Sequence, residues 1–172
     1  WAREAAASGR WPRPKMPRLA SILRTLKSAR QVGWRRRGLI VEAAAWLLLA
    51  RLALALAPFP LIARRLGAFV SPADPRVAAV SAPTTPGQAL IAREVSWAVM
   101  RAAAHAPFRA VCLPQAMAAK AMLARRGQGS ALHLGAGKAG GALTAHAWLE
   151  AGGEIVVGEA GLADMAPLAR FG

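Results

Sequence analysis

One cysteine, Cys112, is present in the chain, and the residues after it frame its chemistry. Leu113-Pro114-Gln115 and the run AMAAKAMLARRG follow, a helix-forming pattern with Pro114 in the first turn and Arg125, Arg126 and Gly127 at the C-terminal end. Cys112 is therefore expected at or just before a helix N-terminus. Unpaired N–H groups and the positive end of the helix dipole stabilise a thiolate there and lower the thiol pKa below its usual value of about 8.5. The same groups can hold the oxyanion of an acyl-transfer intermediate. The first donor would be the N–H of Cys112 itself, with the Gln115 amide as the second candidate. Position alone leaves two readings open, a reactive thiol and a small side chain packed at a helix start.

A general base is sought in the strand-like segments that follow. Ala131 to Ala136 alternates in polarity, residues 137–141 read as a turn, and Leu143 to Glu150 (LTAHAWLE) alternates again. Gly152-Gly153 is a two-residue hairpin signal, with Glu154 to Gly158 as the return strand. If Ala151 pairs with Glu154, His146 lies across from Glu159 and Trp148 across from Val157. A three-residue loop would instead put Gly158 opposite His146. In the first register a carboxylate stands beside the imidazole, and a thiolate within reach would complete a Cys-His-acid arrangement for nucleophilic catalysis. Trp148, two residues on, is a candidate substrate contact. His105 sits in a Pro-bounded loop, and His133 lies between two leucines without an obvious acid partner. A metal site built from Cys112 and the three histidines lacks close ligand spacing, so no metal is expected.

These residues need a scaffold, and composition bounds it. The chain's 172 residues suit one domain, and 55% hydrophobic content excludes a disordered protein. A single cysteine excludes a disulfide framework and a thiolate-rich zinc site. The formal charge of +15 is concentrated in residues 1–38, which hold eleven Lys or Arg against Glu4 alone. That basic arm carries a short amphipathic helix through Leu19, Ile22, Leu23 and Leu26, and no nucleic-acid-binding motif. No nucleic-acid partner is therefore expected. Met16 offers a translation start, leaving residues 1–15 as a leader without the apolar segment of a secretory signal. Residues 39–70 form a hydrophobic helical region. Its first part, Leu39 to Ala57, approaches bilayer-spanning length but contains Glu42 and Arg51, and a charge inside a span costs about 2.5–3.5 kcal/mol. A buried or partner-covered helix is favoured over a span, with an interfacial helix as the alternative. Residues 71–87 are a Pro-rich linker, Thr85 caps a helix with Pro86 at its first position, and residues 88–172 form the core.

As a set, C-L-P at Cys112 to Pro114, A-H-A-W-L-E at Ala145 to Glu150 and P-L-A-R-F-G at Pro167 to Gly172 resemble the lasso peptide biosynthesis B protein family. This is a group within the transglutaminase-like, papain-related cysteine enzymes, and the likeness covers about residues 16 to 172. It implies an α+β fold in which the Cys-bearing helix packs on a small antiparallel sheet behind an N-terminal helical region. It implies a cytoplasmic leader peptidase with a Cys112-His146-acid triad, acting on a ribosomally made precursor peptide. The products would pass to a separate lasso cyclase, and a separate leader-recognition protein would present the substrate, as in the split form of the family. Where the family carries an aspartate on the following strand, this sequence offers Glu159, with Asp164 next. The resemblance also implies an ATP requirement, although Gly135-Ala136-Gly137-Lys138 lacks the spacing and the Ser/Thr of a P-loop. Two other functions fit the residues. One is a transglutaminase-like peptidase or amidase with a different substrate. The other is a non-catalytic, membrane-associated adaptor built on the Leu39–Ala57 helix and the basic arm.

Overall fold

Alternating small and large apolar residues set the first helix against the rest. In a computed structural model, which describes residues 33–67, 69–70, 85–139, 142–160 and 165–172, helix α1 spans Trp34–Leu56. Its buried residues Leu39, Ala43, Leu47 and Ala50 recur at helical spacing, and the two alanines allow neighbouring helices to approach closely. Helix α2 (Phe59–Leu66) follows after Pro58, which ends α1 and serves as the next N-cap. Helix α3 (Pro86–Ala103) starts as expected: Thr85 and Gln88 form a reciprocal capping box, with Pro86 in the first turn. Helix α4 (Cys112–Ala124) ends at Arg125, and Gly127 takes the left-handed conformation that releases the chain. The amphipathic segment Leu19 to Leu26, Met16, nearly all of the Pro-rich linker and Asp164 lie outside the described residues.

Five strands form one antiparallel sheet in the order β1-β5-β2-β3-β4: β1 (Phe69–Val70), β2 (Ala131–Ala139), β3 (Ala142–Ala151), β4 (Glu154–Val157) and β5 (Met165–Phe171). The fold class is α+β. Two corrections to the sequence reading concern strand length and number. Residues 137–139 continue β2 and pair with β3 instead of turning, and Met165–Phe171, to which the sequence reading assigns no element, forms β5. Pro167 lies opposite Gly135, at the place where the β2–β5 register shifts, so the ladder accommodates it.

Leu132, Ala147, Leu149, Val157 and Phe171 turn one face of the sheet onto α4 and α3, α1 packs on those two helices, and together they make the core. Two polar anchors tie the short α4 in place. Glu42 of α1 takes Arg126 in a pair of side-chain hydrogen bonds (3.2 and 2.6 Å), with Arg125 at 3.4 Å from the same carboxylate. Lys120 donates to the carbonyls of Ser130 and Phe171, and burial holds its ammonium below the usual lysine pKa. Trp34–Gly172 forms one compact unit, so α1 and α2 belong with the core.

α1 is long and apolar enough to cross a membrane. One stripe of it is buried, and Val41, Leu48, Leu52 and Leu56 leave the opposite stripe exposed.

Candidate active site

Cys112 is the first residue of α4, with the extended Val111 as N-cap. The first helical hydrogen bond runs from Gln115 N–H to the Val111 carbonyl (3.2 Å). The N–H groups of Cys112 and Leu113 lie ahead of that bond and have no intrahelical acceptor, while Pro114 has none to orphan. The Gln115 side-chain amide donates to the Ala110 carbonyl (2.6 Å), which fixes the loop entering the helix and uses one of its two N–H groups. Cys112 is half-buried and in no disulfide, packing against the rim of the core where it also lines a cleft.

Cys112, Gln115, His146 and Glu159 line one cleft of about 440 Å³, which is closed by Ser96 and Met100 of α3 and by residues 155–160. The expected hairpin forms: Gly152 and Gly153 both have positive φ (61° and 78°), and Ala151 pairs with Glu154. The pairing expected further along does not. A bulge at Val156 shifts the register, so Leu149, and not Trp148, lies across from Val157, and the ladder ends there. His146 consequently has no strand partner at Glu159. Along β3, Ala147, Leu149 and Ala151 enter the helical core, and His146, Trp148 and Glu150 alternate onto the other face. Past Leu149 that strand stands at the sheet margin, which brings His146 to the cleft.

The His146 ring is held by the main chain. Its Nε2 lies 2.8 Å from the Gly158 carbonyl oxygen. A carbonyl can only accept, so Nε2 carries the proton and the neutral ring keeps its lone pair on Nδ1. Gly158 can approach because it is glycine: its φ is +86°, and a Cβ there would meet the Ala147 carbonyl oxygen at 2.5 Å and Trp148 Cα at 2.9 Å. Glu159 follows in exposed irregular chain at the cleft wall.

Trp148 is buried and does not line the cleft, contrary to a substrate-contacting role. Its ring stacks on His133 at 5.0 Å and lies 6.4 Å from His146. Gly135 makes room for it, since a Cβ there would come within 2.9 Å of the indole. His133 does have an acid partner, which the sequence reading missed: Glu150 Oε2 lies 3.1 Å from its Nε2, and Arg170 lies 3.8 Å from the same oxygen. Burial, then the Arg170 charge, holds the His133 imidazole below its usual pKa. The signal for this cluster was the same-face spacing of His146, Trp148 and Glu150, readable only once β2 is paired with β3. His105 donates to the Arg101 carbonyl and lines a separate apolar cavity of about 280 Å³.

The model of the transglutaminase-like superfamily matches residues 53–170. The chain belongs to that superfamily. No curated protein and no solved structure matches this transglutaminase-like chain. The superfamily is commonly cysteine-protease-like, and the match takes in all of α4 and the strands β2–β4. An ATP site does not fit the glycine-containing segment of β2. Gly135 to Lys138 runs inside β2 between two neighbouring strands, so its N–H groups serve the ladder and cannot cradle phosphates. Among the described residues, no group of three or more His, Cys, Asp or Glu is placed to hold a metal ion.

Proposed function

We propose that this chain is a cysteine endopeptidase that removes the leader from a ribosomally synthesised precursor peptide during lasso peptide maturation. The observation that carries the reading is that Cys112, at a helix N-terminus, and His146, tethered through Nε2, line one cleft.

In this reading Nδ1 of His146 takes the proton of the Cys112 thiol. The thiolate attacks the carbonyl carbon of the leader-core peptide bond, forming the C–S bond and placing negative charge on oxygen. The N–H groups of Cys112 and Leu113 are the oxyanion donors, and the remaining Gln115 N–H is a further candidate. The imidazolium gives its proton to the leaving amine as the C–N bond breaks, freeing the core N-terminus. Water, deprotonated by Nδ1, then attacks the thioester, which releases the leader as a carboxylic acid and restores the thiol. The Gly158 carbonyl keeps the ring oriented through the cycle, and Glu159, at the exposed rim, supplies negative charge near the imidazolium. The freed amine is the group a separate lasso cyclase needs for macrolactam closure, and a separate leader-recognition protein delivers the precursor.

The chain works in the cytoplasm, with peripheral membrane contact through α1. The exposed stripe of Val41, Leu48, Leu52 and Leu56, flanked by exposed Arg51, Arg64 and Arg65, supports that contact.

Incubating purified protein with a precursor peptide, with and without its recognition protein, tests the proposal by mass spectrometry. Cleavage at one bond is expected, with accumulation of a leader-thioester on Cys112 at early times and no product from Cys112→Ala. Retained cleavage by Cys112→Ala overturns it.

A further inference from the structure

A second, shallower groove of about 220 Å³ adjoins the cleft, and the two share Ser96, Ile155 and Val156 as lining residues. Together they run between α3 and β4, from the Arg93–Glu154 ion pair at 3.7 Å to Cys112 and His146. Among the described residues β4 is the terminal strand of the sheet on this side and pairs only with β3. The hairpin geometry fixes which of its main-chain groups are available. With a two-residue turn at Gly152–Gly153, Ala151 and Glu154 are the mutually hydrogen-bonded pair. At the next pair, Glu150 and Ile155, the main-chain groups point away from each other, so the N–H and C=O of Ile155 face the outer edge. The bulge falls beyond this pair, at Val156, and leaves it intact.

We infer that this edge is the substrate subsite, and that it takes an extended peptide as an added strand, paired through its backbone to Ile155. The inference rests on the peptidase reading and names how the substrate is held. Three features favour a peptide backbone over other occupants. A donor and an acceptor on one residue match the C=O and N–H of one extended peptide residue. The groove walls are apolar and exposed at Ile155 and Met100, which suits side chains alternating off a strand. The groove opens into the cleft holding the nucleophile. Ile155 precedes Gly158, whose carbonyl holds His146, by three residues, or about 10 Å of extended chain. The paired substrate residue therefore lies about three residues from the scissile bond, and recognition there depends on main-chain hydrogen bonds more than on side-chain identity.

Covalent labelling of Cys112 tests this without a known precursor. Labelling rates are measured for iodoacetamide, for an iodoacetyl-capped apolar tetrapeptide amide, and for an apolar tetrapeptidyl chloromethyl ketone beside chloroacetone. The two peptides probe opposite sides of the scissile bond. At least one peptide is expected to label at least ten-fold faster than its small counterpart. Ile155→Pro removes the outward N–H without breaking a ladder hydrogen bond and is expected to abolish that gain over the small counterpart, whereas Ile155→Ala retains most of it. On the unmodified protein, N-methylating the probe residue about three positions from the reactive carbon should abolish the gain too, which keeps the test valid if Ile155→Pro does not fold. Labelling by iodoacetamide with no peptide advantage, or an advantage indifferent to N-methylation at every position, overturns the subsite and leaves the nucleophile standing. A Cys112 that resists iodoacetamide altogether overturns both readings.

Discussion

Neutralising Glu159 separates two ways of orienting the proposed base. In the Ser-His-Asp precedent, changing the buried orienting acid to its amide lowers kcat about 10⁴-fold. Here the nitrogen that such an acid would hold already meets the Gly158 carbonyl at 2.8 Å, and Glu159 is exposed. An exposed carboxylate acting on an imidazolium is worth about 0–1 kcal/mol. At about 1.4 kcal/mol per decade, Glu159→Gln should therefore lower kcat less than about five-fold. The carbonyl itself can be displaced through Gly158→Ala. A methyl group there would lie 2.5 Å from the Ala147 carbonyl oxygen and 2.9 Å from Trp148 Cα, both main-chain atoms that cannot rotate away. The left-handed φ of +86° adds about 1–2 kcal/mol of strain for a residue with a Cβ. The strand end must move and the His146 tether is lost, a hydrogen bond worth about 0.5–1.5 kcal/mol in addition to the ring's orientation. Single-turnover cleavage of the precursor, run well below each variant's melting temperature, is the assay. Gly158→Ala should reduce the rate about 10–100-fold with KM little changed. A loss of about 10³-fold or more in well-folded Glu159→Gln would refute the assignment and restore the carboxylate as the orienting group.

Three further outcomes are expected. Arg126 donates hydrogen bonds to Glu42 and holds its carboxyl below the ordinary value of 4.5. The pair's contribution is therefore complete above that value and is lost as pH falls through the lower folded pKa. A double-mutant cycle on Glu42→Gln and Arg126→Gln by urea denaturation should give a coupling of about 1.5–3 kcal/mol at pH 7, vanishing in acid. His133 is kept neutral by burial, so the unfolded chain takes up its proton first, near pH 6.5. Stability should decline as pH drops below that value, and His133→Gln should flatten the pH dependence of the urea midpoint between about pH 7 and pH 5. The α1 stripe should co-sediment the protein with vesicles containing phosphatidylglycerol and not with phosphatidylcholine alone. Leu48→Gln/Leu52→Gln should abolish that binding while leaving the melting temperature within a few degrees.

Local grammar made several elements legible. Thr85, Pro86 and Gln88 announce the start of α3 because each satisfies or lacks an N–H that a helix start leaves over. Gly152–Gly153 announces a turn that needs two positive φ values. The bulge is a different kind of feature. Val156 and Val157 are adjacent and both buried, which strict alternation forbids, and the extra residue lets both reach the core. That preference is decided by what α4 and β3 offer as neighbours, and it moved Glu159 out of register with His146. β5 carries no such local signal: it contains Pro167, which the strand accepts because the partner ladder slips at Gly135. The acid beside His133 was hidden by topology. Glu150 is seventeen residues away in sequence and becomes its neighbour only when β2 and β3 pair as a hairpin.

The segment ahead of the superfamily match has a physical claim on the site. The match begins at residue 53, inside α1, yet Leu39, Ala43, Leu47 and Glu42 all precede it. An Ala-rich helix of 13 residues such as α4 is marginal alone and owes its persistence to packing. Leu47 is fully buried in the same core as Met122 and Leu123 of α4, and Glu42 fixes the C-terminal end of that helix through Arg125 and Arg126. The placement of Cys112 at the opposite end therefore depends on α1 as much as on the sheet. α1 also packs along α3, one wall of the proposed substrate groove. A single helix thus braces the Cys112-bearing helix and the groove wall with one stripe while presenting its other stripe outward. Two packed helices lie about 8–10 Å apart, so a surface seated on that outer stripe would stand one helix layer from both.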